Sequence, residues 1–192
     1  MWLPKCTRAK MVDYCLYLGR NQEGAESLEA HQKLSARILT LSVNHTEFQR
    51  LRLRPMALSI ETKGPAHGLD VAEVQMGIWH AAQWSSLRSA VFSSLESRVS
   101  AEEQGKETED AMLRFPLISG VIIQGHKWLF VLSTREQFKT IFWTKRQFGT
   151  TQSIVDVYQV FAGLRQLAAW AENVHLPWSR LYVLTLAEDN AS

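Results

Sequence analysis

Pro55-Met56-Ala57-Leu58-Ser59-Ile60-Glu61-Thr62-Lys63 is an apolar run that ends in a carboxylate and an ammonium. Pro55 restricts Arg54 to an extended conformation and opens the run. Gly64-Pro65 and Gly68 close it, so the stretch reads as a buried strand with a charged tip. Side chains alternate along a strand. Leu58 and Ile60 then point one way and Ala57, Ser59, Glu61 and Lys63 the other, which sets Glu61 and Lys63 on one face.

Downstream, a helix is expected from about Leu69, with Asp70 in its first turn and Val71, Val74, Ile78, Ala81 and Ala82 giving the helical period. Gln75 and Trp79 lie four apart and share a face of it. Upstream, Arg50, Arg52 and Arg54 fall on one side if that segment is extended, where they meet phosphates or form a solvated edge that discourages strand pairing. A helix is expected over Glu26–Leu39, after a polar turn at Gly19–Gly24. Met11–Leu18 is dense in apolar and aromatic residues and reads as a strand with Asp13 inside it. An ionised carboxylate there is costly unless it is paired, bonded or bound to a metal, or lies at the exposed end and caps a loop.

The second half turns polar between Ser93 and Met112, and its run of acidic residues reads as an exposed flexible loop. Leu117–Gln124, Lys127–Ser133 and Lys139–Thr144 read as strands, the first two joined at Gly125-His126 as a hairpin. Ser153–Ala171 carries Ile154, Val157, Val160, Phe161, Leu164, Leu167 and Ala168 on one face, the pattern of a core-facing helix that Pro177-Trp178 interrupts. Arg180–Leu186 is expected to form a last short strand or helix.

At 192 residues the chain (1–192) fits one domain with a substantial core. A net charge of +2 is too small to announce a nucleic-acid binder by itself. Two cysteines without a Cys-x-x-Cys indicate neither a disulfide scaffold nor a zinc module, and no apolar run suits a signal peptide or membrane span. The expectation is an intracellular protein, cytoplasmic or nuclear, that does not engage the membrane. Seven tryptophans point to an aromatic core or an aromatic-lined pocket.

Asp13 and Glu61 are the two carboxylates a hard cation such as Mg²⁺ or Mn²⁺ needs when water and a substrate phosphate complete its shell. Lys63 beside that metal orients the attacking water and offsets charge on phosphorus, and Gln75 positions the water or the backbone. Gly-His126-x-Trp128 at the hairpin either holds substrate or is a turn, and His45 in Asn-His-Thr is the next candidate to line the cleft.

The ordered set Lys10–Tyr14, Val43–Thr46, Arg54–Lys63, Gln75–Trp84, Gln124–Trp128, Phe148–Thr151 and Leu176–Trp178 resembles the PD-(D/E)XK nuclease-like domain of filamentous fungi. The resemblance implies an α/β restriction-endonuclease-like core, a mixed central sheet flanked by helices. It implies Asp13 as the first acidic ligand, Glu61 and Lys63 as the signature pair, and Gln75 with Trp79 in a Gln-x-x-x-aromatic motif. His126, Trp128, His45, Trp79 and Arg54 are the residues expected against substrate. A helix ahead of the Asp13 strand is also implied, and twelve residues leave little room for it. The partner is DNA or RNA for a nuclease. Two alternatives stay open: a small apolar molecule, if the fold is recruited to a secondary-metabolite reaction in an aromatic pocket, and a non-catalytic binding module.

Overall fold

The computed structural model describes residues 12–17, 25–37, 42–66, 68–96, 98–136 and 139–184. Among these residues five strands form one sheet in sequence order: β1 (Tyr14–Tyr17), β2 (Met56–Lys63), β3 (Ile118–Gln124), β4 (Lys127–Glu136) and β5 (Lys139–Thr150). β2 and β3 run parallel, a pairing that requires a long crossover. Helices α2 (Leu69–Leu95) and α3 (Ala101–Leu113) supply it, and the other neighbouring strands are antiparallel. With α1 (Ala25–Arg37) and α4 (Ile154–Trp170) this is the mixed, helix-flanked α/β architecture the sequence leads one to expect. The Gly19–Gly24 turn lies outside the described residues. Among the described residues no helix is long and apolar enough to cross a membrane.

The sheet and α2 fix everything that follows. Val71, Val74 and Ile78, which give the helix its period, are about half exposed, and Ala81 and Ala82 are exposed as well. The buried face carries Ala72, Met76, Trp79, His80, Gln83 and Trp84 instead. Size decides this: a tryptophan buries roughly 150–250 Å² at about 25 cal/mol per Å², and its N–H needs a partner when it does so. The sheet provides those partners as serines. Trp79 Nε1 donates to Ser59 Oγ at 2.8 Å, Trp84 Nε1 to Ser133 Oγ at 2.9 Å, and His80 Nδ1 lies 3.1 Å from the same Ser133 oxygen.

Residues 93–112 are not the flexible acidic loop their charge suggests. Ser93 to Leu95 close α2, and Ala101–Leu113 is α3. A capping box starts it: Ser100 accepts from the Glu103 amide, while the Glu103 carboxylate accepts from the Ser100 backbone. Its buried side carries Gln104, Thr108, Ala111 and Met112, and Glu109 receives Arg88 and Arg135 at 2.7 and 2.9 Å. The charges therefore decorate a packed helix.

α4 corrects a second expectation. Only Val160 is buried, while Ile154, Val155, Tyr158 and Phe161 are 61–77% exposed, so the stripe is not core-facing. The helix instead rests on β5 at two glycines. A Cβ on Gly149 would lie 2.5 Å from Val160 Cγ2 and 3.0 Å from its amide, and one on Gly163 would lie 2.5 Å from Phe148. Gly149→Ala is expected to lower stability by about 1–3 kcal/mol, because the clash is partly with backbone. A urea midpoint that drops at unchanged m would show it.

Beyond α4 the chain stays helical to Val183, with wide π turns at Ala171–His175 and Ser179–Val183 around Pro177. Pro177 does not stop the helix because the wide turns absorb its missing donor. Phe115 is the hub of the core here, with Trp178 at 4.4 Å, Trp84 at 5.5 Å and Trp170 at 6.1 Å. Trp79, Trp84 and Trp178 are all buried, so much of the tryptophan excess is spent on packing.

Candidate active site

β2 enters the core at Met56 and ends in Glu61-Thr62-Lys63, and α2 returns over it after a short connection. Ser59, Glu61 and Lys63 share the α2 side of the strand. Ser59 meets Trp79, and Lys63 meets Gln75 one helical turn before Trp79. Glu61 is 1% exposed, a placement that costs several kcal/mol without a cation. Lys63 provides it: its Nζ donates to Glu61 Oε1 and stands 3.5 Å from Gln75 Oε1. The lysine side chain is 23% exposed, so the cluster opens to solvent through its ammonium. Glu61, Lys63 and Gln75 are the sequence-selected residues that the fold gathers.

Asp13 makes its bonds to Thr62, the residue between Glu61 and Lys63. It lies in the bend before β1, exposed, rather than inside a strand. Its Oδ2 accepts from Thr62 N at 2.8 Å and from Thr62 Oγ1 at 2.6 Å. Thr62 points to the face opposite Glu61 and Lys63. Asp13 thus ties down the residue between Glu61 and Lys63 from the end of the neighbouring strand, a variant of the capping role open to an exposed strand-end carboxylate.

The remaining candidates scatter in instructive ways. Trp79 is a core residue whose ring carries His45 at 4.2 Å, edge on, and burial pushes the His45 imidazole down to about 4. His45 also lines a cavity of about 20 Å³ with His31 and His175, room for about one water and for no organic substrate. Arg54 lies at the opposite end of β2, about 30 Å from Lys63 at the rise of an extended strand. Its guanidinium covers the Tyr17 ring at 5.0 Å and donates to the Tyr17 hydroxyl at 3.0 Å. The segment before it is a tight turn (Gln49–Leu51) rather than extended, so the arginines do not alternate along an edge.

His126 does sit at the Lys63 end of the sheet, since the Gly125 amide donates to the Lys63 carbonyl at 2.9 Å. Gly125 holds φ at 57°, which a side chain would strain, and His126 Nδ1 lies 3.2 Å from Thr151 Oγ1. Trp128 is on the other face. Its neighbour Leu129 pairs with Ile122 and packs with Met76 on the α2 side, whereas Trp128 meets Phe148 at 6.3 Å beneath α4.

Among the described residues no three His, Cys, Asp or Glu side chains gather into a metal cluster. The donors at the site are nevertheless all oxygen, the Glu61 carboxylate and Gln75 Oε1. One carboxylate with water and substrate phosphate suffices for Mg²⁺, so this set fits a hard cation in its sparsest form.

A family model described as the PD-(D/E)XK nuclease superfamily matches residues 1–176. Neither the curated proteins nor the solved structures compared with the chain give a match.

Proposed function

The chain belongs to the PD-(D/E)XK nuclease superfamily, and from that premise we propose that it hydrolyses the phosphodiester backbone of DNA or RNA at Glu61, Lys63 and Gln75. The observation that carries this reading is the buried Glu61 carboxylate gripped by a partly exposed Lys63 ammonium, with the Gln75 amide alongside. A buried ion pair is weak evidence for stability, since an apolar pair of similar volume serves as well. Its position at a strand end, half open to solvent, suits work on an incoming anion.

Glu61 and Gln75 would hold Mg²⁺ or Mn²⁺, which when bound acts as a Lewis acid on the phosphoryl oxygen. Lys63 offsets the charge that develops on the phosphoryl group and orients the attacking water through its remaining N–H bonds. Gln75 has both a carbonyl and an amide to fix that water. Asp13 acts at one remove as a positioning residue, by locking Thr62 and with it the spacing of Glu61 and Lys63.

The test is incubation with single- and double-stranded DNA and RNA in Mg²⁺ or Mn²⁺, beside Lys63→Ala and a chelated control. Cleavage that Lys63→Ala and chelation both abolish is expected. Absence of cleavage on every substrate, or cleavage indifferent to the substitution, would sink the proposal. Asp13→Asn keeps the shape but weakens the bond to Thr62, and is expected to cost about 10-fold in kcat, well short of the Lys63 effect.

A further inference from the structure

α4 is held on the sheet by the side that carries Val160 and Gly163. A Cβ added at Gly149 would meet Val160 at 2.5 Å, and one at Gly163 would meet Phe148 at 2.5 Å, so the helix lies against β5 as closely as its backbone allows and is not free to roll. Asp156 is drawn to the same side, its Oδ2 accepting from Thr150 Oγ1 at 2.8 Å. The apolar part of the helix faces away. Ile154, Tyr158 and Phe161 are 77%, 71% and 61% exposed, and with Ala162, Arg165 and Ala169, also exposed, they recur at i, i+4, i+7, i+8, i+11 and i+15, one stripe about four turns long.

The patch is larger than a monomer ordinarily shows. Trp143 belongs to it, because its indole donates to Thr134 Oγ1 at 3.0 Å and Thr134 lies on the Trp128 side of β4. At 150–250 Å² for a whole aromatic side chain, the exposed parts of Tyr158, Phe161 and Trp143 come to roughly 370 Å². Ile154, Val155 and Val157 raise the total to roughly 700 Å², above the 300–600 Å² of the largest patch on a typical monomer and close to the 800 Å² that each partner brings to a standard interface.

The stripe also matches itself, since its bulky residues fall in the first half and its small ones in the second. A two-fold axis midway between Phe161 and Ala162 lays two copies of α4 antiparallel. It sets Phe161 against Ala162, Ile154 against Ala169 and Tyr158 against Arg165 of the second copy, a guanidinium over a ring. The two Arg165 side chains start about 10 Å apart along the helix and do not oppose each other. Asp156 and Arg165 are the only charges in α4 and cancel, which leaves nothing to attract an anionic membrane surface. We infer that the outer face of α4 is a homodimer interface, closed by a second copy of this chain in antiparallel register. The cluster of Glu61 and Lys63 lies under α2 on the other face of the sheet, so both sites stay open and the pairing is independent of the reaction proposed for them.

Sedimentation velocity of the full chain between about 1 and 100 µM tests this. The expected result is a species of twice the monomer mass that dissociates on dilution. Phe161→Arg is expected to weaken association about 10-fold or more, because it sets like charges side by side, and Arg165→Ala by about 5- to 30-fold, because it removes two cation–π contacts at once. Phe161 is exposed, so circular dichroism should find the variant folded, and Ile154→Lys, at a more exposed position, carries the same expectation as a second variant. The register is read with a short bismaleimide above the wild-type background. A mixture of Ile154→Cys and Ala169→Cys proteins is expected to cross-link, whereas Ile154→Cys alone, with its copies about 22 Å apart, is not. A monomer at about 100 µM, including one that binds vesicles or another protein through this face, overturns the interface, as does a dimer indifferent to Phe161→Arg and Ile154→Lys. Equal cross-linking of Ile154→Cys alone overturns the antiparallel register.

Discussion

Lys63→Met is expected to cut kcat about 1,000-fold with little change in KM, because a donor aimed at developing charge is worth roughly 10²–10³ and a positioned proton-transfer group a similar factor. The loss should fall on kcat because Lys63 is already committed to Glu61 in the resting protein and gains most when the phosphoryl charge grows. The substitution has a structural cost as well. Removing one partner of a buried pair costs about 3–5 kcal/mol, and the solvent exposure of Lys63 scales this to about 1–3 kcal/mol. A dead enzyme could therefore be an unfolded one.

The double variant Glu61→Gln/Lys63→Met separates the two effects. Replacing both members leaves no buried charge, and such replacements are often neutral or better for stability. Urea midpoints should fall for Lys63→Met and recover in the double variant, while activity stays lost in both. Recovery of activity with stability would show that the pair serves the fold and not the reaction.

How far the sequence reveals this molecule depends on the range over which the signal acts. Glu61, Lys63 and Gln75 were legible because strand alternation places the first two and a short connection places the third. Asp13 is half legible: a carboxylate at a strand end reads as a cap, and it caps Thr62 across the β1–β2 pair, which no local pattern encodes. The face of Trp128 is not legible in the sequence, because it depends on the parity of a hairpin partner, and the β4–β5 register shifts just there, between Trp128 and Leu129. The helix faces failed for an energetic reason. Period alone treats Val71 and Trp79 as equals, whereas the larger area of tryptophan, with serines waiting in β2 and β4, decides which face turns inward. α3 was hidden by its charge, although Ser100-x-x-Glu103 is a capping box readable from the sequence.

Acid is expected to weaken this protein strongly between pH 7 and pH 5. His80 is fully buried between α2 and the sheet, with Ser133 Oγ on Nδ1, and burial, helped by the charge of nearby His45, pushes its pKa down to about 3. His175, 2% exposed against Phe115 and Trp170, is pushed down to about 4 by burial. Both lie below the ordinary 6.5 of an unfolded chain. Above pH 6.5 both states hold these rings neutral and stability is complete. As pH falls below 6.5 the unfolded chain binds protons that the folded one refuses, so stability declines by about 1.4 kcal/mol per pH unit for each ring until the folded pKa is reached. Between pH 7 and pH 5 that is about 2 kcal/mol per histidine, about 4 for the two and about 6 with His45, which burial also pushes down to about 4, against a total of roughly 5–15 kcal/mol for a domain. An imidazolium at His175 would regain up to about 1–2 kcal/mol from the Phe115 and Trp170 rings, which softens the loss without reversing it. The carboxylates that shift, Glu29 and Glu103, are lowered from 4.5 and do not titrate in this window. Urea midpoints at pH 7 and pH 5 should therefore differ by a third or more. His80→Gln should start less stable at pH 7, having lost a packed ring, yet lose about 2 kcal/mol less on acidification; an identical acid loss in the variant would remove His80 from the account.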